Sequence, residues 1–399
     1  MIIVVEPQMQ GEKHVIVNAG ILEILQITFP GDTMHLYADE LHSKRLLEKP
    51  YLSKQNLVLS SYKYKPKEDK KTNIALKLFR QARLSCKMFR QAKKHQAKLI
   101  VFTSCFPFTA LFVNFLAGLY KQKIIICHHG DLGVLLLDKN KLVTKIFRYF
   151  IKKMMVNRNL KFNNSLIYGK SIKDKLIATI PSICDNSFIV IDHPYEYYGN
   201  NLFNKAKGEI LTLSNIGTAT LIKNSESLFD LAQILRTNIS NNELKLTQIG
   251  SVATELQPFI NEFVDVLKRD GSFIPNSVFE ESLAKSDYFI YFFKTGGYYE
   301  LCPSGTFFDA IKYLKPIIAI KNSYLEYYFD KLGNIGYLCE SIDDMAELIR
   351  SIIKGGKKQE YFEQLEKLKN AQTQLLNENI SKDFERQLCF VSNHILDSN

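Results

Sequence analysis

The sequence lacks most of the short motifs that announce a chemistry. It has no C-x-x-C pair, no spaced Cys/His set, no H-E-x-x-H and no D-x-D. A metal-dependent mechanism therefore has no visible ligands. Neither G-x-x-x-x-G-K-[ST] nor G-x-G-x-x-G occurs, which weakens nucleoside-triphosphatase and dinucleotide readings. No G-x-S-x-G marks a hydrolase elbow either. The seven cysteines (86, 105, 127, 184, 302, 339, 389) are scattered, and Cys105 and Cys127 sit in apolar runs. That is how buried free thiols are placed, and it points to a reducing compartment without a disulfide framework. No repeat of solenoid period is present.

A basic leader is missing too: MIIVVEP reaches an acid and a proline within seven residues. It reads as a first strand and not as a signal peptide. Leu99–Tyr120 carries no charge over twenty-two residues, long enough to span a bilayer. Thr103, Ser104 and Pro107 divide it, however, and KIIICHH follows at once. The expectation is a buried strand and helix.

What is present describes an ordinary globular chain. Its 399 residues are 46% hydrophobic and 23% charged, enough for two domains with separate cores. The net charge of +11 is uneven: residues 62–98 carry net +11, residues 139–161 net +8, and the remainder net −8. Two basic patches on an acidic background imply an anionic partner. LFRQA (78–82) and MFRQA (88–92) echo each other ten residues apart, which would set both Phe-Arg pairs roughly on one side of a basic helix.

Apolar runs at 2–6, 33–38, 56–61, 99–103, 123–128, 165–168 and 188–192 predict strands in the first half. Those at 209–214, 244–249, 286–293, 316–320 and 335–339 predict strands in the second. Short β-branched runs alternating with helical patterns indicate an α/β protein with parallel sheets covered on both faces. The polar, turn-rich stretch 194–209 is the expected linker, and only helical patterns follow residue 341.

Ligands in such sheets bind beyond the carboxyl ends of the strands. After the run 286–293 comes KTGGYYELCPSGTFFDAI. Gly296 and Gly297 allow a sharp turn. Ser304, Gly305 and Thr306 suit an N-cap, or a cradle for a diphosphate at the positive end of a helix. Asp309, one turn on, fits a ribose diol, or simply a carboxylate near a helix start. Taken alone, the segment fits both readings. Ser214–Thr218, with Gly217 and Thr218 at its end, and Lys223 before a helix opened by Asn224 or Ser225 offer a second phosphate-suited element. In IIICHHGDLG, Asp131 stands near His128 and His129, an arrangement that can poise an imidazole for proton transfer. His129, nearer the strand end, is the one expected to face a cleft. His14 and Asn18 are spaced to share a helix face, and His193 ends the last strand of the first half. Each of these also reads as a satisfied surface or core residue.

Together the pieces resemble the GT-B glycosyltransferases, especially the group-1, family 4-like enzymes that build bacterial surface polysaccharides. The likeness is strongest over 286–340. The family's E…E-A-x-x-x-G-K-P-V-I-A course is followed here by FFDAIKYLKPIIAIKN and then NIGYLCE. The resemblance places Asp309 at the second glutamate, the ribose ligand, and Lys315-Pro316 at the K-P pair. The first glutamate falls on Leu301, with Glu300 one residue away. The phosphate-binding lysine matches Lys223, the paired glycines after the first strand reduce to Gly11, and the mid-domain histidine matches His129.

The resemblance implies two Rossmann-like αβα domains facing across a cleft. Residues 1–198 would bind the acceptor, together with Gly11 and Asn18. Residues 199–380 would bind a UDP- or GDP-linked sugar through Gly217, Thr218, Lys223, Gly297, Ser304, Gly305, Thr306 and Asp309. A helix at 381–399 would pack back on the first domain. His129, Asp131, His14 and Glu300 are the catalytic candidates, and neither a cofactor nor a metal is expected. The implied acceptor is a saccharide, typically lipid-linked. The basic segments 62–98 and 139–161 would then hold a cytoplasmic protein peripherally on the inner face of the membrane, and no nucleic acid is expected. Two rivals follow from the same features: a sugar-nucleotide epimerase or hydrolase on this fold, and a nucleic-acid binder using the basic patches.

Overall fold

In the computed structural model the β-branched runs become two parallel sheets. The structure describes residues 1–62, 74–138, 141–159, 161–183, 188–197, 210–268, 274 and 276–396. Much of the expected linker (198–209), part of the first basic segment (63–73) and Cys184 lie outside the described residues. Contacts divide the chain into one unit of Met1–Glu196, Leu301–Pro303 and Leu375–Asn399, and another of Tyr197–Glu300 and Ser304–Gln374.

The first unit runs β1 (Ile2–Val5), α1 (Val15–Thr28), β2 (Met34–Asp39), α2 (Glu40–Leu47), β3 (Leu57–Tyr62), α3 (Ile74–Lys94) and β4 (Leu99–Phe102). It continues α4 (Pro107–Tyr120), β5 (Ile124–His128), α5 (Leu142–Val156), β6 (Asn163–Tyr168), α6 (Lys170–Thr179) and β7 (Phe188–Ile191). The sheet order is β3-β2-β1-β4-β5-β6-β7, all parallel. The uncharged stretch 99–120 is therefore a strand and a helix that Pro107 opens. Among the described residues no helix is long and apolar enough to cross a membrane.

The second unit holds β8 (Leu211–Ile216), α7 (Ser227–Ile234), α8 (Arg236–Ser240), β9 (Leu244–Ser251), β10 (Val264–Lys268), α9 (Asn276–Lys285) and β11 (Tyr288–Tyr291). Then come α10 (Gly305–Lys312), β12 (Ile317–Ile320), α11 (Ser323–Leu332), β13 (Gly336–Cys339), α12 (Ile342–Ile353) and α13 (Lys358–Gln374). Its sheet order is β10-β9-β8-β11-β12-β13. Both sheets thus start in their middle and reverse direction, at β1/β4 and at β8/β11. Those reversals open the crevices where ligands of doubly wound sheets sit.

Strands buried on both faces read as unbroken apolar runs, and β1, β4 and β11 are wholly buried. The last helix, α14 (Asn377–Leu396), belongs to the first unit, where Ile380 and Phe384 join the core beside α1. Asn377 Nδ2 donates to the buried Glu23 carboxylate at 2.7 Å. A Cβ on Gly20 of α1 would stand 2.6 Å from Pro194 Cβ, so only glycine permits that close approach. Along the sheet edge, the Gln387 side-chain amide accepts from Val190 N–H at 2.7 Å and donates to its carbonyl.

Several expectations need correction. β8 ends at Ile216, so Ser214 and Asn215 lie inside it and only Gly217 and Thr218 follow. β10 was not expected: VDVLK alternates charge with apolar groups, as a half-exposed edge strand does. Pro194–Tyr197 are not linker-like, since Tyr195 and Tyr197 are buried and Glu196 pairs with Lys49 at 2.5 Å. The two Phe-Arg pairs of α3 do not share a side: Phe79 is exposed while Phe89 is fully buried. Ten residues leave about 80° of mismatch on a helix.

Candidate functional site

At the β1/β4 reversal of the first unit the central group is one that pattern reading missed. Glu6, directly after β1, is 1% exposed. One oxygen of its carboxylate accepts from the Gln8 and Met9 amides at 2.7 and 2.9 Å and from the Ser104 hydroxyl. The other accepts from Asn18 Nδ2 at 3.0 Å and Thr103 Oγ1 at 2.7 Å. Five donors make burying this charge tolerable. The second Asn18 amide proton goes to His42 Nε2 at 3.0 Å, so His42 carries its own proton on Nδ1 and donates it to the Gly11 carbonyl at 2.9 Å. Glu6 thereby ties the ends of β1 and β4 to the glycine turn ahead of α1. Gly11 has φ +56°, a left-handed turn that favours glycine.

His14 is not within α1 but at its N-cap, also left-handed at φ 58°. Helix periodicity therefore does not set its side chain relative to Asn18. Its ring instead packs 4.2 Å from that of His129, which lies 5.1 Å from His193 and 5.7 Å from Tyr168. Burial, then His14 and His193, hold the His129 pKa well below 6.5. Burial likewise lowers His14, although Glu6 pulls it up. Burial, then His14, lowers His193 to about 3. Near neutral pH these imidazoles are uncharged.

Asp131 does not serve His129. β5 ends at His128, as expected, and it is His128 whose Nδ1 meets Asp131 Oδ2 at 2.7 Å while its Nε2 meets Ser165 Oγ at 3.2 Å. The buried His128 is the carboxylate-oriented imidazole.

At the β8/β11 reversal of the second unit, three of the candidate residues converge. Gly217 has φ +84°, and a Cβ there would meet Thr306 Cγ2 at 2.8 Å and Lys223 Nζ at 3.0 Å. Lys223 ends a short 3-10 turn, Leu221–Lys223, capped by Thr220; α7 begins only at Ser227, not at Asn224 or Ser225. A Cβ on Gly250 of β9 would run into the Gly217 carbonyl, so glycine there lets β9 lie against the turn that follows β8. Gln248 Nε2 donates to that carbonyl at 2.8 Å.

Ser304 is the N-cap of α10, its Oγ accepting from Phe307 N–H at 3.4 Å and lying 3.0 Å from Thr306 Oγ1. The Gly305 and Thr306 amides have no acceptor among the described residues. They stand at the positive end of the helix dipole. The Ser304 cap therefore coexists with open amides. Tyr291 OH donates to the Thr306 carbonyl at 2.6 Å. Burial, then the Asp309 carboxylate, push the Tyr291 hydroxyl far up.

The remaining candidates scatter more. Thr218 is exposed and its hydroxyl accepts from Ser251 at 3.1 Å. Gly297 closes a turn on the Lys294 carbonyl at 3.1 Å. Glu300, 2% exposed, sits on the turn Tyr298–Glu300, which packs against the Lys223 turn. Lys315 donates to the Ala284 and Ser286 carbonyls at 3.1 and 2.6 Å, so the lysine of the K-P pair clamps the end of α9.

No family model matches the chain, and no curated protein matches it. Solved structures do. Anabaena HepE in complex with UDP is 13% identical with a TM-score of 0.62 over 100% of both chains. A glycosyltransferase from Rickettsia africae is 13% identical with a TM-score of 0.62 over 100% of this chain and 99% of that one. The lipopolysaccharide outer core galactosyltransferase WaaB, in its apo form, is 14% identical with a TM-score of 0.59 over 97% and 98%. These likenesses show the fold, and the expectation of a GT-B architecture built from two Rossmann-like units holds.

Proposed function

We propose that this chain is a glycosyltransferase that moves a sugar from a nucleotide-diphosphate donor, held by the second unit, to a saccharide acceptor held by the first. The observation that carries the reading is the convergence of Gly217, Lys223 and Thr306 at a sheet reversal, with the open Gly305 and Thr306 amides alongside. Negative charge grows on the departing diphosphate as the glycosidic bond breaks, and a lysine with aligned amides stabilises that charge. Ser304 positions the amides, Gly217, Gly297 and Thr218 shape the loops, and Asp309 holds the ribose.

On the acceptor side, uncharged His129 or His14 takes the proton of the attacking hydroxyl. Asp131 acts through His128, and Glu300 is a further catalytic candidate. Gly11 and Asn18, fixed by His42 and Glu6, line the acceptor position. No cofactor or metal is invoked. HepE has been solved with UDP and with UDP-glucose, which favours a UDP-linked donor here. We further propose a lipid-linked acceptor of surface polysaccharide assembly, met at an anionic membrane face through 62–98 and 139–161.

A calorimetric and thermal-shift screen of UDP-, GDP- and CMP-sugars tests the reading. Stabilisation by one nucleotide series is expected. Binding of none of them, with salt-sensitive binding of RNA or DNA instead, overturns it. Donor turnover with no acceptor present would mark an epimerase or hydrolase.

A further inference from the structure

Just past the end of β8 the Gly217 carbonyl leaves the ladder to β9. The Gly217 and Ala219 N–H groups still donate to the Ile249 and Ser251 carbonyls of β9, each at 2.8 Å. Between them, the Gly217 carbonyl accepts from Gln248 Nε2 at 2.8 Å, its one donor among the described residues. Gln248 is fully buried, and its own Oε1 has no donor among the described residues. An apolar side chain would remove that desolvated oxygen, so the fold itself gains little from a glutamine here. What the glutamine secures is the direction of one peptide. The C=O and N–H of a trans peptide point opposite ways. With the Gly217 carbonyl held toward β9, the Thr218 N–H points away from β9. β11 lies on that far side of β8, and its pairing with β8 ends at Ser214 and Phe289. The Thr218 N–H therefore faces the crevice of the reversal, and it has no acceptor among the described residues. Lys223 and Thr306 border the same glycine.

We propose that Gln248 is a positioning residue for the donor site: it grips the Gly217 carbonyl so that the Thr218 N–H is presented to a phosphate oxygen of the nucleotide. Gln248 is too deeply buried to meet a ligand itself, and it acts through the peptide that it holds. A donor fixed in advance toward an anion needs no reorganisation when the anion binds. The Thr218 N–H then adds a backbone contact to the Lys223 charge and the open Gly305 and Thr306 amides. The inference rests on the donor site proposed above, and it goes beyond that site in naming what holds its first turn.

Gln248→Met keeps the length of the side chain and removes its donor. UDP affinity, measured by calorimetric titration of the full chain, should fall about tenfold, the effect of roughly one hydrogen bond to an anion. The melting temperature should stay near that of the wild type. Gln248→Glu separates positioning from packing, and it serves alone should the methionine variant not fold. Burial at this position raises a carboxyl pKa above its ordinary value of about 4.3. Protonated, the carboxyl O–H donates to the Gly217 carbonyl; ionised, it has nothing to donate. The ratio of wild-type to Gln248→Glu affinity, in which the ionisation of UDP cancels, should therefore lie near one at about pH 5.5 and rise toward tenfold by about pH 8.5. Undiminished UDP binding by Gln248→Met, or a Gln248→Glu deficit of the same size at both pH values, overturns the proposal while leaving the donor site standing. Absence of UDP binding by the wild type sinks the donor site, and the inference falls with it.

Discussion

Replacing Gly217 by alanine separates backbone strain from site geometry. At φ +84° an L-residue costs about 1–2 kcal/mol. The added Cβ would also stand 2.8 Å from Thr306 Cγ2 and 3.0 Å from Lys223 Nζ. Both are ends of side chains that can turn aside, so the fold survives and the displacement falls on those two groups. We expect a melting temperature lower by about 2–4 °C, the response of a domain of this size to roughly 1 kcal/mol. UDP affinity should fall by about ten- to a hundredfold, since each tenfold step is about 1.4 kcal/mol and a displaced lysine forfeits one or two of them. Gly355→Ala is the control: φ is +83° and no atom lies within 4 Å of its Cβ position. It carries the same strain without touching Lys223 or Thr306. Calorimetric titration of both variants with UDP decides the matter. Equal losses in the two, or none in Gly217→Ala, would refute the cradle.

Asp309→Asn should weaken UDP binding about tenfold and erase any preference over 2′-deoxy-UDP, with the melting temperature unchanged; a retained preference removes the ribose role. Glu6→Ala strands five buried or partly buried donors and should cost on the order of 3–5 kcal/mol, read from the urea midpoint. Glu6→Gln, which keeps one acceptor oxygen, should cost less. His193, held at about 3 against an ordinary 6.5, stays unprotonated in the fold while the unfolded chain takes up a proton. Its contribution is thus complete above pH 6.5 and is lost as pH falls toward 3, at up to about 1.4 kcal/mol per pH unit. His193→Gln should flatten the stability slope in that window by one proton; an unaltered slope contradicts the assignment.

The β/α alternation was legible because strands buried on both faces read as apolar runs, and the K-P turn before β12 followed directly from its residues. What escaped depended on neighbours in space. Gly217, Lys223 and Thr306 each belong to a local motif, but their meeting requires β8 and β11 to be adjacent, which strand order decides. Glu6 looked like an ordinary strand end, because its donors come from positions 8, 9, 18, 103 and 104. Which of the two adjacent histidines Asp131 meets is set by the path of the turn after β5, and that turn brings the carboxylate to His128. β10 was missed because an edge strand is half wet and carries charges.

The carboxamide of Gln387 behaves toward Val190 as a strand one residue long. It engages both hydrogen-bonding groups that β7 would offer to a neighbour there, so the sheet's growth is terminated by a side chain borrowed from α14. A chain cut before Asn377 would lose that stopper together with the Ile380 and Phe384 packing. Its open edge could then recruit a strand from a second molecule. The last helix thus guards solubility as well as completing the core, and a shortened version should be judged first by its tendency to associate.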